Sequence, residues 1–157
     1  MTLGGNLLLA VLWAALIGPF TPTNLVVGFV LGYVVLRAST GFGKRPRYIR
    51  QMTGVIGLSY FTMIELVIAN LRVTWYTVAS LRSLNPAVLR VPLEPGLTDG
   101  EITLLSTLIT LTPGTLTLDV VDERSALLVH FMHVDDVDEA IDSVKSGFER
   151  RVLRATR

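Results

Sequence analysis

Cysteine is absent from the 157 residues, and acidic residues are nearly absent from the first 82. The first absence removes disulfides, thiolate metal sites and cysteine nucleophiles together. The second is a matter of distribution. Glu65 is the single acid before Ser83, against seven cations: Arg37, Lys44, Arg45, Arg47, Arg50, Arg72 and Arg82. Twelve acids and seven cations follow. The net charge of +1 therefore hides two chemically different halves. Charged residues make up 17% of the chain, below the roughly 25% of soluble domains, and the mean hydropathy is +0.54. An apolar, acid-poor half with cations clustered beside it is what a bilayer selects. The cations flank hydrophobic runs and the aromatics lie inside them, which argues against nucleic acid as a partner.

Residues 1–82 read as a membrane region. The first apolar run, Asn6 to Phe20, and the second, Asn24 to Leu36, are separated by Thr21-Pro22-Thr23, with Pro19 just before. Two prolines three apart cannot both continue one helix. The pattern predicts a hairpin of helices over about 4–20 and 24–39, both short for a span of about 20 residues. A secretory signal peptide is the competing reading of the first run, but no basic segment precedes it and a second run follows at once. Gly28 and Gly32 form a G-x-x-x-G spacing that permits close approach by a neighbouring helix; packing within a complex suits it better than homodimerisation. A basic loop is expected at 41–52, where Lys44, Arg45, Arg47 and Arg50 mark the cytoplasmic side.

A third hydrophobic helix is expected over 53–81. At 100° per residue, Tyr60, Phe61, Ile64, Val67, Ile68, Leu71, Trp75 and Val78 share one arc. Thr62, Glu65, Arg72 and Tyr76 share another, with Ser59, Asn70, Thr74 and Thr77 beside it. One reading is a third span that keeps its polar stripe against protein. The other is an amphipathic helix at the cytoplasmic interface, favoured by the stripe and by Arg72 and Arg82. Glu65 invites a proton-relay role, yet no second titratable partner accompanies it. An ion pair or a subunit contact involving Glu65, Arg72 and Asn70 is the plainer expectation.

Residues 83–157 read as a small α+β domain. Ala87 to Val91 predicts a strand, Thr98-x-x-Glu101 a capping box opening a helix to about Thr110, and Pro113-Gly114 a turn. Thr115 to Val121 and Ala126 to Met132 alternate as strands joined through Asp122 to Ser125. A last helix is expected from Asp135, acidic in its first turns and basic at its end, as the macrodipole favours. The order β-α-β-β-α is a ferredoxin-like split unit lacking its final strand. Its core is expected to be thin enough to need support from partner subunits.

No constellation argues for an enzyme. His130 and His133 stand near Asp135 and Asp136, but on a strand residues three apart face opposite sides, so neither metal nor cofactor is expected. There is no phosphate-binding loop, and no serine has a partnering histidine and acid by motif. A carrier encloses a midplane site and usually shows internal repeats; two or three helices without a repeat cannot do so alone.

Residues Leu104 to Leu116 carry the resemblance to a known family, centred on Thr110-Leu111-Thr112-Pro113-Gly114-Thr115 between a helix and a strand. Pro22-Thr23-Asn24, Gly28 and Gly32, Glu65-Leu66 with Ala69-Asn70-Leu71, and Leu128-Val129-His130 add to it. The chain resembles the E-type component of Mrp multisubunit Na+/H+ antiporters along nearly its whole length. The resemblance implies a multi-pass plasma-membrane protein that is a non-catalytic structural and assembly subunit. It implies partnership with the A, B, C, D, F and G components and the bilayer, a cytoplasmic C-terminal domain, and no transferable catalytic motif. The alternative is an independent membrane-anchored module recruiting a soluble partner through its α+β domain.

Overall fold

The computed structural model describes residues 3–39, 47–79 and 84–157. Lys44 and Arg45 of the expected basic loop, like Arg82, lie outside the described residues. The chain divides into two compact units, one running up to Thr53 with Arg157 added, the other Gly54–Thr156.

In the first unit, α1 (Leu3–Ile17) and α2 (Pro22–Ser39) pack as a hairpin. Pro22 opens α2 at a first-turn position, where its missing N–H is no loss. Asn24 turns its amide back to the Pro19 carbonyl at 2.9 Å and fixes the corner. The helix admitted by Gly28 and Gly32 is α1 of the same chain. A Cβ on Gly28 would lie 2.9 Å from the Ala10 backbone, and one on Gly32 would strike Asn6. These glycines are spent inside the hairpin. Asn6 is fully buried and donates to the Tyr48 hydroxyl at 2.7 Å, a polar tie of the kind that joins membrane helices.

The third helix, α3, runs Arg47–Ala79. It starts six residues before the expected position, so 47–52 are helical where a loop was expected. The physical reason is burial: Tyr48 and Ile49 pack with Leu36, Leu9 and Tyr33, and only a helix brings two consecutive residues and Met52 onto that cluster.

In the second unit, β1 (Ala87–Pro92), β2 (Thr115–Val121) and β3 (Ala126–Phe131) form an antiparallel sheet of order β1-β3-β2. Helix α4 (Asp99–Leu111) is opened by the Thr98–Glu101 capping box, with both reciprocal bonds made. The β2–β3 corner places Asp122, Glu123 and Arg124 at positive φ and is tied by Arg90–Asp122 and Arg124–Asp99 pairs. The last helix opens at Val137, because Asp136 caps it by accepting from the Asp138 and Glu139 amides. It runs as α5 (Val137–Asp142), a π-helical segment (Ser143–Glu149) and α6 (Arg150–Thr156).

The core holds Val91, Leu105, Ile109, Leu127, Val129, Val144, Phe148 and Val152, and it extends onto α3 through Leu58, which is 8% exposed, and Phe61. Phe61 therefore faces the sheet domain and not the apolar arc where the helical wheel put it. Phe148 meets it edge-on at 5.2 Å, and the Arg151 guanidinium stacks 3.8 Å over its ring. The π-helical widening leaves carbonyls to satisfy; Arg151 donates to those of Ser146 and Gly147 at 3.0 and 2.6 Å.

Gly28→Val is expected to force α1 and α2 apart and to cost about 1–3 kcal/mol, the usual range for overpacking. Gly5→Val, where an added Cβ meets nothing within 4 Å, is expected to be neutral. Denaturant titration of the full chain in micelles compares the two; equal midpoints would rule out the tight crossing.

Candidate functional site

A cleft of about 370 Å³ opens in the second unit between α3, the Thr112–Thr115 turn and the His133–Asp136 segment. It gathers several of the residues singled out by sequence: Glu65 and Arg72 from α3, Thr112 to Thr115, and His133, Asp135 and Asp136.

Its floor is built by the threonine-rich turn. The Thr115 amide donates to the Thr112 carbonyl at 3.1 Å, closing four residues with Pro113 second and Gly114 third. Gly114 has φ +93; that combination is the type II turn, which favours glycine there for steric reasons. Each threonine is engaged. Thr110 Oγ1 accepts from the Thr117 amide at 3.2 Å, Thr112 Oγ1 donates to the Leu108 carbonyl at 3.0 Å, and Thr115 Oγ1 donates to the Ile109 carbonyl at 2.6 Å. Leu111 is exposed. The motif's hydroxyls thus stop a helix and start a strand.

One wall is His133, just past the end of β3. Its Nδ1 accepts from the Asn85 amide at 3.1 Å, so the ring proton sits on Nε2, which meets Asp135 Oδ1 at 3.1 Å. The ring lies 5.0 Å from that of Tyr76 on α3. Asp136 is committed to the N-cap of α5, and Ser143 Oγ donates to the Ala140 carbonyl at 2.7 Å. His130 is elsewhere, paired in the sheet between Val88 and Leu116. Among the described residues no three His, Asp or Glu side chains stand together as a metal site.

The opposite wall is the α3 face carrying Glu65, Ala69, Arg72, Val73 and Tyr76. Glu65 and Arg72 are seven residues apart and do not pair with each other. Neither makes an ion pair or side-chain hydrogen bond with the described residues. Asn70 is not in this wall: it is exposed and donates to its own helix, to the Leu66 carbonyl at 2.7 Å. The sequence reading missed Ala69 and Gly54 as packing positions. A signal existed, since Gly54, Leu58, Phe61, Glu65, Ala69, Val73 and Tyr76 recur at three- and four-residue spacing along one face.

With both nitrogens of His133 engaged, one of them by Asp135, the cleft offers Glu65 and Arg72 to an incoming group.

The sequence profile of the family described as Na+/H+ ion antiporter subunit matches residues 6–155. The chain is 33% identical to the E-type component of the Na+/H+ antiporter of Bacillus subtilis over 153 residues, covering 97% of this chain and 96% of that one. It is 30% identical to the corresponding component from Alkalihalophilus pseudofirmus over 152 residues, with the same coverage. Among solved structures, a chain of the Mrp complex from Dietzia sp. DQ12-45-1b is similar with a TM-score of 0.52 and 29% identity, covering 66% of this chain and 96% of that one. A chain of an archaeal membrane-bound sulfane sulfur reductase shares the fold with a TM-score of 0.56 and 24% identity, covering 96% and 95%.

His133→Ala removes the acceptor of the exposed Asn85 amide, which water then takes, and the Tyr76 contact; the loss is expected to be about 0.5–1.5 kcal/mol. Asp135→Asn, at a carboxylate whose side chain is 86% exposed, is expected to change stability by less than about 1 kcal/mol. Chemical unfolding of both variants checks this, and equal losses would contradict the assignment.

Proposed function

This chain belongs to the E-type family of Na+/H+ antiporter components, and we propose that it serves as a non-catalytic structural and assembly subunit of a multisubunit Na+/H+ antiporter in the plasma membrane. The observation that carries this reading is the match from residue 6 to residue 155, with relatives covered almost end to end. The match runs through the α+β domain as well as the helical hairpin, so that domain is shared with antiporter components, and an independent recruiting module is the weaker account.

Physical chemistry supports the non-catalytic part. Moving a cation or a proton through a bilayer takes a succession of ionisable groups facing the membrane interior. α1 carries no charged residue and α2 carries only Arg37, at its end. The lone acid of the membrane half, Glu65, lies on the face of α3 that borders the α+β domain. Translocation then belongs to the partner subunits, and this chain supplies surfaces on which they assemble, with Glu65 and Arg72 as cleft groups open to a charged partner residue.

The sheet order β1-β3-β2 with every pair antiparallel is the order expected of a ferredoxin-like unit lacking its last strand, which supports that reading of the domain. The concentration of cations at Arg37, Lys44, Arg45, Arg47 and Arg50 supports a cytoplasmic side for the segment leading into α3 and for the domain that follows.

Deleting the chain is expected to abolish both co-purification of the large polytopic subunits and growth at high Na+. Glu65→Ala is expected to leave much of the exchange activity. An intact but inactive Glu65→Ala complex would instead make Glu65 an ion-handling group. A single cysteine introduced near Arg157 is expected to be shielded from an impermeant maleimide in intact cells; labelling from outside would reverse the assigned side.

A further inference from the structure

Helix α3 is long and apolar enough to cross a membrane, yet its packing within the second unit argues against crossing. Within the second unit, contacts of α3 with the α+β domain begin at Gly54, where an added Cβ would lie 2.7 Å from the Ala155 Cα. They continue through Leu58 in the core and Phe61 under Arg151, and end with Tyr76 against His133. At 1.5 Å per residue, Gly54 to Tyr76 spans about 33 Å, whereas the hydrocarbon core of a bilayer is about 30 Å thick. The domain therefore accompanies the helix over the whole length that a crossing would need. If α3 crossed, Asp135 and Arg151 would be carried into hydrocarbon with it, where charged groups are disfavoured.

The other face of α3 is bare. Ile56, Tyr60, Val67, Leu71, Trp75 and Val78 are all more than 40% exposed, and Tyr60 and Trp75, toward the two ends of this stripe, are 70% and 69% exposed. Polar groups bordering the stripe turn inward: Asn70 donates to the Leu66 carbonyl, Thr74 to the Asn70 carbonyl and Thr77 to the Val73 carbonyl, at 2.7 to 2.9 Å. A surface with its donors folded back onto its own backbone offers little to a polar partner and suits hydrocarbon. Amphipathic aromatic rings are at home at headgroup level.

We propose that α3 lies along the bilayer surface, with its Ile56–Val78 stripe sunk into the headgroup–acyl boundary and the α+β domain mounted on its opposite face. The occupant of the stripe is lipid. This rests on the membrane-subunit reading, but it concerns the disposition of one helix and stands or falls separately.

The test uses the complete complex in lipid nanodiscs. Single cysteines at Tyr60, Val67, Leu71, Trp75 and Val78 carry an environment-sensitive fluorophore, with lipids bearing quenchers at the headgroup or at the acyl-chain end. All five labels are expected to be quenched more strongly by the shallow quencher, at one common depth, within about 5–10 Å of the interface. A depth profile that reaches the bilayer centre around Val67 and rises again toward Val78 would mean that the helix crosses. No quenching from either depth would mean that another subunit covers the stripe. Either result overturns the proposal. Co-purification of the other subunits in the same preparation reports separately on the subunit role, so the two readings cannot fail unnoticed together.

Discussion

The packing of the α+β domain onto one face of α3 is the contact on which the second unit depends. Its three-stranded sheet is short, and α4 with the C-terminal helices covers one core of modest size. A domain of this size buries a small fraction of its surface and is marginal alone. Leu58 and Phe61 enlarge that core from outside the domain's own sequence. Phe61 also carries the contacts to Phe148 and Arg151. The π-helical segment fits this need: its widened turn frees carbonyls, and the guanidinium that satisfies them lies on the α3 ring. Backbone irregularity and interhelical contact are one device here.

The same economy governs buried charge. Glu101 and Glu149 are 5% and 4% exposed, positions where a carboxylate survives only with several donors. Glu101 receives the Thr98 amide and the hydroxyl of Thr156 at 2.6 Å, so the cap of α4 is also the latch of α6. Glu149 takes the Glu94 amide at 2.7 Å and Lys145 at 3.1 Å, holding the segment after β1 to the π-helical turn. Both acids join elements far apart in the chain, and this suits a domain with little apolar area to spare.

Much of this was legible in the sequence because it is local. The capping box at Thr98 and Glu101, the Pro113-Gly114 turn, the alternation of β2 and β3 and the Asp122–Ser125 corner each rest on chemistry within a few residues, and each element stands where the pattern put it. What was not legible depends on a distant partner. Phe61 and Ile64 share one arc of a helical wheel, and only Phe148 and Arg151 decide that Phe61 turns inward. Gly28 and Gly32 declare a close helix crossing, but a spacing does not name the helix that crosses. The start of α3 at Arg47 follows from burial of Tyr48 and Ile49 beside Leu36, residues that local hydropathy places at the edge of a charged loop. The π-helical turn shows only as the repeated four-residue spacing of Val144, Phe148 and Val152, which two turns of an ordinary helix also accommodate.

Glu65 shows how strongly the frame decides the chemistry. On a helix surrounded by lipid, a lone carboxylate is costly, and function is the first explanation to reach for. On a helix laid along the bilayer surface as proposed, the same carboxylate costs little, because it opens into the cleft rather than into hydrocarbon. Arg72 belongs to the same face for the same reason, and Asn70, off that face, folds back onto the helix. The sorting is consistent along α3 from Gly54 onward: Glu65 and Arg72 border the domain, the exposed apolar stripe turns away from it, and Asn70, Thr74 and Thr77 beside the stripe donate to their own backbone. This division of faces, with Glu65 and Arg72 turned to the domain and the apolar stripe turned away, is the arrangement on which the proposed supporting role rests.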